Sequence, residues 1–256
     1  MTQQLQHRII CWSLSLIIAS ISCIFGLPAS AKAQSISKTH PTQIATVSAS
    51  EAFRNAYNQR YTWDKNFPGY SAEVSITHQG DIDQGIVRVQ PDLSVDVINV
   101  EPEDLRELVA NTVKMEIIHR RQIPFEQLHG NNDFELKGKD EYGALKINEM
   151  GDNSYYKVKG DVITQVNRSF GDVAVTVDTL GTTKTPEGYL VSHFKTTFRD
   201  AQTDEVLEKE DVRDFHEKVG NYYLLTNRTI RYEKEENPEE KPVADTRIRF
   251  NDIQPL

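Results

Sequence analysis

From Asp133 onward the chain is a series of short segments in which apolar and polar residues alternate: 133–138, 142–149, 154–160, 162–169, 172–180, 188–199, 205–216, 221–233 and 243–252. A period of two sends successive side chains to opposite faces, so each segment is read as a strand wet on one side. Turn residues separate most of them, among them Gly138-Lys139-Asp140, Gly151-Asp152-Asn153, Gly160-Asp161, Pro186-Glu187-Gly188 and Gly220-Asn221. Connections this short make neighbours antiparallel. Residues 205–219 also carry helical spacing through Val212, Phe215 and Val219, and their place in the short-turn series decides for a strand.

The N-terminal part mixes periods. Ser48-Ala49-Ser50-Glu51 fits a capping box, and Phe53, Ala56, Tyr57 and Tyr61 recur at three- and four-residue spacing, which predicts a short helix with one apolar face. Tyr70, Ala72, Val74 and Ile76 then alternate with polar residues. With Ile86–Val89 and 93–100 they predict a three-strand meander. Pro102 suits the first position of a second helix, with Leu105, Leu108, Val109, Val113 and Ile117 on one face. His119-Arg120-Arg121 bring positive charge to its C-terminal end, and Pro124 closes it. The fold class expected is α+β, mainly antiparallel β: a large curved sheet or half-open β-barrel of about 11–12 strands with two helices packed on its concave face.

Residues 1–33 read as a signal peptide. Arg8 precedes a largely apolar run from Ile9 to Leu27, and Ala31-Lys32-Ala33 has the small-x-small form of a cleavage site. The alternative is an N-terminal membrane anchor. Both cysteines, Cys11 and Cys23, lie in this segment, so a cleaved chain has no disulfide and no thiolate chemistry. Residues 34–47 read as a flexible leader, 48–256 as a single domain and 233–242 (EKEENPEEKP) as a solvated loop. Cleavage removes Arg8 and Lys32 and no acid, which takes the formal charge from −9 to −11. That charge opposes binding to nucleic acid or to an anionic membrane surface, and a monomer is expected.

No phosphate loop, dinucleotide fingerprint, HExxH, GxSxG or calcium loop is present, so no enzymatic activity, metal or cofactor is expected. No histidine after the leader lies three or four residues from another, and each is read as a hydrogen-bonded or surface side chain. The acid pairs Asp81/Asp83 and Asp211/Asp214 have a spacing that a chain this acidic produces by chance. One stretch stands out, Arg60 to Tyr70 (RYTWDKNFPGY), in which Pro68-Gly69 fits the centre of a type II turn. Tyr61 is assigned to the helix face and Tyr70 to the first strand, which leaves Trp63 and Phe67. The four aromatics either plug one end of the sheet or line the mouth of a ligand cavity.

RYTWDKNFPGY, with the helix before it and the strand after it, resembles the family catalogued as domain of unknown function 3386, found in cyanobacteria and plastid-bearing organisms, from about Ser48 to the C-terminus. The resemblance implies an exported protein of the periplasm or thylakoid lumen. The order of elements, ending in Arg213-Asp214-Phe215-His216, Gly220–Leu224, Arg228 and Ile248–Ile253, is more distantly similar to the periplasmic lipoprotein-carrier (LolA-like) superfamily. That likeness implies an open half-barrel with an apolar concave face. The function expected first is binding or carrying of a lipid, acyl chain or lipidated protein in that concavity. An interaction or assembly factor comes second, and a hydrolase whose site is assembled only by the fold comes third.

Overall fold

The computed structural model describes residues 48–151, 154–233 and 246–256. The expected signal peptide and leader, and nearly all of the 233–242 loop, lie outside them. Helix α1 (Ala49–Asn58) begins where Ser48 Oγ accepts the Glu51 N–H at 3.1 Å. It buries Ala49, Ala52, Phe53, Ala56 and Tyr57 and stops at Asn58, so Tyr61 lies beyond the helix rather than on its face.

The meander follows as β1 (Tyr70–His78), β2 (Asp81–Val89) and β3 (Val95–Ile98). Tyr70, Ala72, Val74 and Ile76 are the buried row of β1, as their alternation requires. Helix α2 (Glu103–Arg120) has Pro102 as its N-cap and buries Leu105, Val109, Val113 and Ile117. A third helix, α3 (Phe125–His129), was not anticipated: Pro124 does not close a helical region but is the N-cap of this short one. Nine more strands follow among the described residues: β4 (Phe134–Lys139), β5 (Leu145–Glu149), β6 (Ser154–Lys159), β7 (Val162–Phe170), β8 (Val173–Thr185), β9 (Gly188–Asp200), β10 (Val206–Val219), β11 (Tyr222–Glu233) and β12 (Thr246–Pro255). The ambiguous segment 205–219 is thus strand β10.

All twelve strands form one antiparallel sheet in the order β3-β2-β1-β12-β11-β10-β9-β8-β7-β6-β5-β4. β4 to β12 run as a plain meander, and the N-terminal meander joins it by pairing β1 with β12. β3 and β4 remain as edges, so the sheet does not close into a barrel.

Directly paired residues share a face. The series Ile147–Tyr156–Val166–Val177–Thr196–Glu210–Tyr232 therefore lies on one face of β5 to β11, and Asp214–Arg228–Ile248–Ile76 continues that face across β10, β11, β12 and β1. The helices pack on this inner face in two places. α1 and Phe125 of α3 cover β4–β7 with Phe53, Tyr57, Phe125, Ile147 and Tyr156 as core. α2 covers the other end, over Val74, Ile76, Val87, Val89, Ile248 and Phe250.

Candidate functional site

The RYTWDKNFPGY stretch sits at a split in the sheet. β11 pairs with β10 from Tyr222 to Glu233, but with β12 only from Asn227 to Ile230. In an antiparallel ladder the N–H and C=O of one residue point the same way, so a residue not bonded to β10 needs partners on the β12 side. At Tyr223 those partners are side chains. Tyr61 Oη accepts the Tyr223 N–H at 2.8 Å, and Trp63 Nε1–H donates to the Tyr223 carbonyl at 3.1 Å. Two aromatic side chains thus take the place of a missing strand.

The remaining residues of the stretch hold these two in place. Trp63 N–H donates to the Arg120 carbonyl at 2.6 Å, which ties the stretch to the end of α2. Trp63 stacks on Phe67 at 4.1 Å with ring planes 10° apart, and Phe67 meets Tyr222 and Tyr70 edge-on. Tyr222 Oη donates to Asp64. Gly69 has φ +81°, and a Cβ there would lie 2.2 Å from the Val89 carbonyl oxygen, so both backbone shape and space require glycine. Tyr61, Trp63, Phe67 and Tyr70 are all buried in the α2 core. On the outer face the same split opens a cleft of about 510 Å³ whose walls include Phe215, Val219, Arg249 and Ile253.

Beside this plug lies a group of buried charges that no local sequence pattern brings together. In the last turns of α2 the buried stripe changes from apolar to ionic. Glu116 Oε1 accepts from Arg120 Nε at 2.7 Å and from His216 Nε2 of β10 at 2.9 Å. Next to it Arg228 of β11 makes a two-pronged pair with Asp214 of β10, at 2.7 and 2.6 Å. Burial works to raise the Glu116 carboxyl, but Arg120 and His216 outweigh it and hold the group far below the usual carboxylate range. Further along the same face of β10, Glu210 is pushed up to about 8 by burial and by neighbouring Glu208. Burial, and then the Glu116 charge, raise the Tyr70 hydroxyl above its usual range.

Several other titratable residues have structural partners. His129 Nδ1 and Asn132 bond Glu149 Oε1, and Tyr156 donates to Oε2, which fastens α3 to β5 and β6. His193 bonds Asp211 on the outer face, and His78 bonds Thr246. Asp211 and Asp214 point to opposite faces and form no acid pair. Asp83 accepts the backbone N–H of Gln84 and of Glu101. Among the described residues no group of three or more His, Cys, Asp or Glu could hold a metal ion, and no helix is long and apolar enough to cross a membrane.

Between the two helix-covered ends, the inner face of β8–β10 carries Val175, Val177, Phe194 and Phe198. Val175, Val177 and Phe194 are half-buried there. Glu208 and Glu210 adjoin them on the same face, with the Arg228–Asp214 pair beyond.

A family model described as "Protein of unknown function (DUF3386)" matches residues 44–256. The chain belongs to the DUF3386 family. No curated protein matches it. One solved structure similar to this DUF3386 chain is a DUF1329 family protein from Desulfovibrio piger, at 13% identity and a TM-score of 0.27, over 80% of this chain and 89% of that one.

The ionic group as a whole could not be found by local motif. Glu116, His216, Asp214 and Arg228 come from three elements, brought together by a helix crossing and a strand pairing, and only Glu116/Arg120 has a local signal, an i,i+4 acid–base pair.

Proposed function

We propose that this protein binds an apolar ligand, a lipid or acyl chain, on the inner face of β8–β10 between α1 and α2. The observation that carries the reading is the half-buried apolar row Val175, Val177 and Phe194 between two helix-covered ends of a single open sheet. A sheet face must be covered, and a ligand chain lying in the trough covers it as a helix would. Each buried methylene is worth about 0.8 kcal/mol, so about ten of them supply about 8 kcal/mol, the scale of micromolar binding before the cost of ordering the chain. The ionic group at the end of α2 closes one end of the trough with a polar wall. The bound chain would be carried in the periplasm or thylakoid lumen, the destination that the family resemblance implies for an exported chain.

The test is organic extraction of the purified protein followed by mass spectrometry, together with titration of a fluorescent fatty acid. The reading expects a co-extracted lipid and micromolar binding that Phe194→Glu and Val177→Glu abolish while the fold is kept. Absence of lipid, or binding unchanged by both substitutions, would overturn it.

A further inference from the structure

The two edges of the sheet are built differently. β4 is defended as edges usually are: Lys137 and Glu135 pair at 2.6 Å along it, Lys139 ends it, and Gly138 at φ +100° lies within a register shift between Leu136 and Lys139. β3 pairs with β2 without a break from Val95 to Ile98 and has apolar residues on both faces. On its inner side Val95 and Val97 reach the α2 core but stay half-buried. On its outer side Ile98, 36% exposed, pairs with Ile86.

Alongside β3 runs a groove of about 470 Å³ between the strand and α2. Val95, Val97 and Ala110 line it, and Asp96, Glu103 and Glu107 form its rim. Arg106 is already bonded to Glu103. The rim is therefore net acidic. The free backbone of β3 offers hydrogen bonds, the groove offers room for inward apolar side chains, and the rim attracts cations.

We infer that the β3–α2 groove is a docking site for an extended, basic segment of a partner protein, which adds to the sheet as a thirteenth strand beside β3. A second copy of this chain does not suit the groove, because edge-to-edge pairing would set Asp96, Glu103 and Glu107 of one copy against the same acids of the other. A β-strand whose Val or Ile side chains fill the groove and whose Lys or Arg side chains reach its acidic rim satisfies all three features together. The inference does not depend on the apolar-ligand reading, since the groove and the trough lie at different places on the sheet.

An array of ten-residue peptides, Val/Ile alternating with Lys, Thr or Glu, tests this by fluorescence anisotropy. Affinity should rise with positive charge among alternating peptides and vanish for scrambled ones. It should fall about tenfold with E103K/E107K, and likewise with Ala110→Phe, which fills the groove. Circular dichroism confirms that the variants fold. No preference for basic alternating peptides, or no effect of either variant, overturns the inference, as does a concentration-dependent dimer in sedimentation that E103K/E107K strengthens.

Discussion

At the scale of single residues, the buried charges at the end of α2 have the clearest consequences. The depressed pKa of Glu116 contributes stability that is fully present above its unfolded value, near 4.5, and is lost as pH falls through the folded one. Glu210 has the opposite sign. Its folded pKa, pushed up to about 8, contributes stability that is complete below 4.5 and is lost as pH rises through about 8. Stability should therefore fall on both the acid and the alkaline side. Urea unfolding across pH should show Glu116→Gln less stable by about 3–5 kcal/mol at neutral pH, because Arg120 and His216 lose their shared acceptor, and with a flatter acid limb. Glu210→Gln should instead be more stable than the parent above about pH 8 and nearly neutral below about pH 5. An alkaline limb that persists in Glu210→Gln would show that another group is responsible for it.

At the scale of elements, the split between β11 and β12 explains why one connection carries so many aromatics. Trp63→Phe keeps the stacked ring but removes the donor to the Tyr223 carbonyl, and Tyr61→Phe removes the acceptor for its N–H. Each should cost about 1–3 kcal/mol, the price of a buried backbone group left without a partner. Hydrogen exchange should report the Tyr223 amide as protected in the parent chain and fast in Tyr61→Phe, with the β10 amides little changed. Equal protection in both would mean that another group bonds the amide.

The strands themselves were legible. Period-two alternation and turn residues located all twelve, although β2 begins at Asp81 rather than Ile86 and β8 and β12 run on to Thr185 and Pro255, and the positive φ of Gly69 followed from Pro68-Gly69. The split was not legible, because it depends on where a pairing 160 residues away in sequence stops. Nor was α3, a helix of five residues, too short to show a period. Tyr61 was misplaced because its spacing from Tyr57 continues the helical pattern past the residue where the backbone leaves it. The trough was legible as an apolar face, but not as the uncovered part of one, since that depends on where the two helices cross the sheet.

At the scale of the whole molecule, the order of strands matters more than their number. Joining β1 to β12 makes the nine-strand meander and the three-strand meander one surface, and the α2 core depends on that surface being continuous. Deleting residues 246–256 exposes the paired edges of β1 and β11 and opens the core around Ile76, Ile248 and Phe250. Calorimetry of the truncated chain should show the α2 core lost and, at most, one residual transition from the α1 end. A single transition of parental enthalpy would mean that the first meander stands without β12.

The same pairing also sets an order in time. A chain synthesised from its N-terminus makes β1 early, yet the neighbour β1 requires comes after every other described strand. Until β12 exists, Tyr70, Val74 and Ile76 have only one strand beside them, and α2 lies over an incomplete core. The α2 half of the sheet is thus held open until the strands from β4 to β11 have all been made.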